Sequence, residues 1–114
     1  MNMMAAYSIL LAAAVLEAGG DALVRVGLHS HSSAGRIGLF AAGAAVLFAY
    51  GWTVNAPPWD FGKLLGVYVT LFFVVAQVIN VVFFGTRPDL PIYVGGALIV
   101  AGGLVITFWS AKPA

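Results

Sequence analysis

Apolar residues dominate this chain in four long blocks separated by short polar breaks. The blocks cover roughly residues 4–24, 37–55, 64–84 and 92–110. A helix crossing a hydrocarbon layer needs about 20 consecutive, mostly apolar residues, and each block has about that length. The breaks are His29-Ser-His-Ser-Ser-Ala-Gly-Arg36, Ala56-Pro-Pro-Trp-Asp-Phe-Gly-Lys63 and Gly85-Thr-Arg-Pro-Asp-Leu-Pro91. Pro or Gly punctuates all three, as turns require. The pattern predicts an all-α membrane protein, a single four-helix transmembrane domain over residues 1–114 with both termini on one side.

Composition sharpens this reading. The 114 residues are 62% hydrophobic and 8% charged, against about 25% charged in an ordinary soluble domain. Intrinsic disorder has the opposite signature. The net charge of +1 and five scattered cations give nucleic acid no basic patch. With no Cys, disulfides, thiolate metal sites and cysteine nucleophiles are excluded, as is a prenyl or palmitoyl anchor on Cys. The N-terminal block lacks a positive leader, is too long for a secretory signal and contains a carboxylate.

Lys/Arg counts normally set membrane orientation. Here Lys63 and Lys112 lie on one side and Arg25, Arg36 and Arg87 on the other, a difference that the N-terminal amine nearly cancels. Such balance predicts insertion in either direction, hence antiparallel pairs. The alternative is that one cation decides the topology of a parallel oligomer or monomer.

Candidate chemistry lies inside the spans. Glu17 sits a little past the middle of the first, where an ionised carboxylate costs roughly 2.5–3.5 kcal/mol on insertion scales. Such a group either carries a proton or meets a cation, the elementary requirement of proton-coupled cation transport. The structural alternatives are a protonated Glu17 bonded between helices, or one paired to Arg25. Asp21 and Arg25 follow at four-residue steps on the same helical face. An Asp21–Arg25 ion pair accounts for both, and an acidic vestibule is the functional alternative.

In the third span Lys63, Thr70 and Gln77 recur every seven residues and Asn80 follows by three, with Tyr68 near Thr70 in depth. A polar stripe is unsatisfied against lipid, so it faces protein or a wet cavity. The fourth span carries Gly95-Gly96 and Gly102-Gly103, seven apart, and small residues permit close helix approach. This seam fits a dimer contact or packing within the monomer. His29 and His31 read as solvated loop residues, Asp60 and Lys63 as an interfacial pair, and Trp52, Trp59 and Trp109 as interfacial anchors. No nucleophile–base pair, phosphate loop or metal cluster is visible, so neither an enzyme nor a cofactor is expected.

These features resemble the small multidrug resistance family of the drug/metabolite transporter superfamily. The likeness is strongest from Phe83 onward, where Phe83-Phe84-Gly85-Thr86-Arg87-Pro88-Asp89-Leu90-Pro91 is similar to the family's third connector. Gly95, Leu98, Ala101 and Gly102 fall on its fourth-helix dimerisation motif. Tyr7, Glu17, Gly20 and Arg25 match its substrate-site tyrosine, essential glutamate, packing glycine and basic helix end. The third helix departs from the family: Leu65 and Tyr68 stand at its Tyr/Trp signature, and Thr70 and Phe72 replace small residues. Asp21 replaces a neutral hydroxyl residue. Gly66-Val-Tyr-Val69 is similar to a stretch in another four-helix group of the superfamily.

The resemblance implies an antiparallel homodimer in a bacterial inner membrane, exporting small cationic or guanidinium-type compounds as protons enter. The expected substrate and proton site comprises Glu17, Tyr7, Tyr68, Asp21, Thr70 and Gln77, with two Glu17 side chains facing one cavity and titrating as a unit. Two other readings stay open: a subunit of a heteromeric exporter or flippase, and a non-transporting membrane interaction protein.

Overall fold

The computed structural model describes residues 2–109; Lys112 and the end of the fourth apolar block at Ser110 lie outside them. Four helices account for most of that length: α1 (Met3–Leu28), α2 (Ser33–Val54), α3 (Phe61–Phe84) and α4 (Leu90–Phe108). There is no strand among the described residues. α2, α3 and α4 are each long and apolar enough to cross a membrane. The chain is an integral, multi-pass membrane protein.

Polar caps set the helix ends. Asn2 accepts a hydrogen bond from the Ala5 amide at 2.7 Å, Ser32 from Gly35 at 3.1 Å, Asp60 from Lys63 at 3.0 Å and Asp89 from Ile92 at 3.4 Å. Each satisfies an amide that has no partner inside its helix. Ser32 starts α2 early, so the first connector shrinks to residues 29–32. Arg36 then lies within α2 and donates back to the carbonyls of Leu28 and Ser30. α3 stops at Gly85, whose φ of 65° is the left-handed conformation that glycine adopts without penalty.

In space the order is α2–α1–α3–α4: α1 packs on α2 and α3, and α4 packs principally on α3. The Cα envelope is 34 Å wide and 19 Å deep, a shallow row rather than a square bundle. Tyr50 and Val54 of α2 reach across α1 to the α3 residues Leu64, Val67 and Tyr68, closing a small core with Leu10, Ala13 and Ala14 of α1. In a hydrocarbon solvent, helices associate through close packing and interhelical hydrogen bonds rather than through apolar burial. α1 meets that need with small residues: Ala6, Ala13, Ala14, Ala18 and Gly20 are all buried.

A close backbone crossing joins Gly20 of α1 to Gly43 of α2. A Cβ on Gly43 would lie 3.2 Å from the Gly20 carbonyl oxygen and 2.7 Å from a Val24 methyl. At the other edge of the row, α4 divides its paired glycines between two faces. Gly96 and Gly103 are buried against Phe73 and Thr70 of α3. Gly95 and Gly102 have open space where a Cβ would go, and Leu98 beside them is 71% exposed.

Candidate functional site

Glu17 is half-buried on the side of α1 that meets α3. The Tyr68 hydroxyl donates to its Oε1 at 2.8 Å, an interhelical bond between residues far apart in sequence. Tyr68 is 3% exposed, and its ring continues a short aromatic ladder. Tyr50 lies 5.7 Å from it between centroids and Phe72 stacks on it at 6.1 Å. The result is one carboxylate held by a phenol beside three aromatic rings. Such rings present negative faces to a cation, each worth ~0.5–2 kcal/mol.

Asp21 and Arg25 lie one and two turns further along α1. They line a cleft of about 440 Å³ between α1 and α3, with Gln77, Asn80, Phe72 and Phe84. The Asp21–Arg25 ion pair does not form; the Arg25 guanidinium lies 5.7 Å from the centroid of the Phe84 ring. Aromatic stacking at the helix end suits a planar guanidinium and leaves the charge near the membrane surface. The expected Asp60–Lys63 ion pair is likewise replaced. Asp60 caps α3 through the Lys63 amide, and the Lys63 ammonium lies 5.8 Å from the Trp59 ring.

The structure brings only some of the expected site residues together. Glu17 and Tyr68 touch, and Asp21 and Gln77 share the adjoining cleft. Tyr7 does not join them: it precedes Glu17 by ten residues, about 15 Å along a helix, and packs edge-on against Trp59 at 5.7 Å. That contact also draws Trp59 inward, whereas Trp52 and Trp109 remain exposed. Thr70 faces α4, where its hydroxyl donates to the Ile99 carbonyl at 3.4 Å and Gly103 receives its side chain. Its role in this fold is to join two helices.

Tyr50 and Phe72 are members of the site that the chain's patterning does not single out. Phe72 follows Tyr68 by one turn of α3 and stacks on it, whereas Tyr50 is an ordinary apolar-block aromatic until the α1–α2 crossing brings it beside Tyr68. The sequence signals for that crossing are Gly20 and Gly43, the latter about two turns before Tyr50.

No family model matches the chain, and no solved structure matches it. Similar proteins are found among bacterial sequences. A UPF0060 membrane protein of Kineococcus radiotolerans is 32% identical over 114 residues, covering 99% of each chain. One of Mycolicibacterium vanbaalenii is 36% identical over 96 residues, covering 82% of this chain and 86% of its own. A third, of Frankia casuarinae, is 31% identical over 109 residues, or 95% and 96% of the two chains. The likeness extends over nearly the whole chain, so the chain belongs to the UPF0060 membrane protein family.

Proposed function

We propose that this chain is a homodimeric, proton-coupled antiporter that exports small cationic or guanidinium-type compounds, with Glu17 as the shared site for proton and substrate. The reading joins the sequence resemblance to the small multidrug resistance family with one observation, the Tyr68–Glu17 hydrogen bond within an aromatic ladder. A carboxylate in this position exchanges one positive partner for another. Protonated, it is neutral and tolerated in the layer; ionised, it needs a cation nearby, and the partly open faces of Tyr50 and Phe72, held in place by the buried Tyr68 ring, favour one. Binding of a cationic substrate therefore expels the proton, and proton binding expels the substrate. Nothing covalent is required.

Dimerisation follows from the same physical logic. A row one chain wide cannot enclose Glu17 by itself, and a second copy would complete the cavity. The outward stripe of Gly95, Leu98, Ala101 and Gly102 supports α4 as the contact. Gly102→Leu is expected to dissociate the dimer in mild detergent while leaving the protomer folded, because a side chain there meets open space within the protomer. Light scattering that finds the same mass for variant and wild type removes α4 from the interface.

The Tyr68 ring and its hydroxyl can be separated by substitution. Tyr68→Phe keeps the ring that holds Tyr50 and Phe72 in place and is expected to retain most cation affinity. Tyr68→Leu loses that support for the neighbouring rings, and calorimetry is expected to show binding weakened by about 3- to 30-fold. Equal losses in both variants would move the role from the ring to the hydroxyl.

The proposal is tested by proton release from weakly buffered, purified protein. The additions are a lipophilic quaternary cation, a guanidinium compound and a polyamine, with Glu17→Gln as control. Release by one class, absent from the variant, supports the shared site. Silence from a folded dimer across the panel overturns it.

A further inference from the structure

The cleft beside Glu17 has a chemistry of its own. Asp21 and Arg25 lie one helical turn apart on its α1 wall, and Gln77 and Asn80 face them from α3. The two opposite charges do not pair: Arg25 rests on Phe84, and Asp21 is exposed, with no cation at salt-bridge distance among the described residues. An exposed carboxylate at this depth is costly without a positive partner.

A second hollow adjoins the cleft. Ala22, Ile79 and Phe84 line both the polar cleft and an apolar groove of about 360 Å³ whose other walls include Leu23, Val26 and Leu39. Arg25 lies three residues before the end of α1, and Phe84 is the last residue of α3. The mouth of the cleft therefore stands near the membrane surface, where lipid headgroups lie.

We propose that the Asp21–Arg25 cleft and its adjoining groove form a binding site for a zwitterionic phospholipid with a primary ammonium headgroup, of the phosphatidylethanolamine type. The Arg25 guanidinium donates to the phosphate oxygens, a geometry for which its planar fork is suited. The headgroup folds inward so that its ammonium donates to the Asp21 carboxylate and to the amide oxygens of Gln77 and Asn80. An acyl chain occupies the groove. The lipid thus supplies the positive partner that Asp21 lacks. A quaternary headgroup has no N–H to donate, and a phosphatidylglycerol headgroup offers Asp21 only neutral hydroxyls, without the positive charge.

The site is tested by native mass spectrometry of the full-length chain in detergent, without any transport substrate, so that the outcome is independent of the Glu17 reading. The probes are phosphatidylethanolamine, phosphatidylcholine, phosphatidylglycerol and free phosphoethanolamine. Phosphatidylethanolamine is expected to bind about tenfold more tightly than phosphatidylglycerol, the worth of one charge-assisted hydrogen bond, with phosphatidylcholine also weaker. Asp21→Asn is expected to erase that preference. Arg25→Gln is expected to weaken both phospholipids, and Arg25→Lys to retain part of the binding. Circular dichroism confirms that each variant is folded. Equal affinity for phosphatidylglycerol, or a preference that survives Asp21→Asn, overturns the proposal. Free phosphoethanolamine binding as tightly as the lipid overturns it in favour of a soluble phosphoamine.

Discussion

Glu17→Gln is expected to abolish cation-evoked proton release and to weaken cation binding by about a hundredfold or more. The substitution is nearly isosteric, and the glutamine amide oxygen still accepts the Tyr68 hydroxyl. The α1–α3 contact therefore survives, and with it the helical content and melting temperature. What disappears is the only part that the antiport cycle uses, a side chain that alternates between neutral and negative. A neutral amide neither releases a proton nor compensates an arriving cation in a medium where an unpaired charge is expensive. Proton release and calorimetric titration, run on the same preparation as a melting curve, read both halves of this expectation. Unchanged proton release would reassign Glu17 to helix packing and remove the transport mechanism.

The largest effect on stability is expected from Gly43→Leu. At this crossing the obstacle is backbone, the Gly20 carbonyl oxygen 3.2 Å from where the new Cβ would be, so no change of rotamer relieves it. The two helices must separate, and contact is lost along a seam built from small residues. Overpacking of this kind costs typically ~1–3 kcal/mol, and the upper end applies because close approach is what holds helices together in lipid. Thermal unfolding in detergent is the measurement. Because Tyr50 is two turns further along α2, the same variant is also expected to disturb the aromatic ladder and reduce cation binding. Gly51→Leu is the control, since a Cβ there meets nothing within 4 Å. A melting temperature lowered equally by both substitutions would show that the Gly20–Gly43 crossing is not special.

The helices are legible in the sequence because long apolar blocks and polar caps are local signals. Asn2, Ser32, Asp60 and Asp89 each act on an amide within three residues, and Gly85 stops α3 by its own backbone freedom. Glu17 stands out for an equally local reason, a carboxylate surrounded by apolar residues. The partners of these groups depend on how helices rotate against each other, and here spacing alone misleads. Thr70 and Asn80 read as one polar stripe, yet ten residues at 3.6 per turn leave them about 80° apart. That angle is enough to turn Thr70 toward α4 and Asn80 toward α1. The Asp21–Arg25 pair is favoured by four-residue spacing, but it competes with Phe84, a residue of α3 that no pattern within α1 reveals. The division of α4 into an inner glycine face and an outer one is likewise written in the doublets Gly95-Gly96 and Gly102-Gly103. Which member faces inward is decided by Phe73 and Thr70 of its neighbour.

The attachment of α4 to the edge of the row bears on how such a protein can diverge. α4 leans chiefly on α3, whereas Glu17, its aromatic neighbours and the lipid-facing cleft are built from α1, α2 and α3. If α4 carries the proposed dimer contact, substitutions on its outer side would change the choice of association partner, from an identical chain to a duplicated one, without touching the Tyr68–Glu17 hydrogen bond within the protomer. Conversely, replacements around Tyr68 or Asp21 can alter what is recognised while pairing stays intact. In the proposed dimer, the residues that would choose the partner are then distinct from those that hold the carboxylate within each protomer, and gene duplication followed by drift on the outer side of α4 would be a short route to a mixed pair.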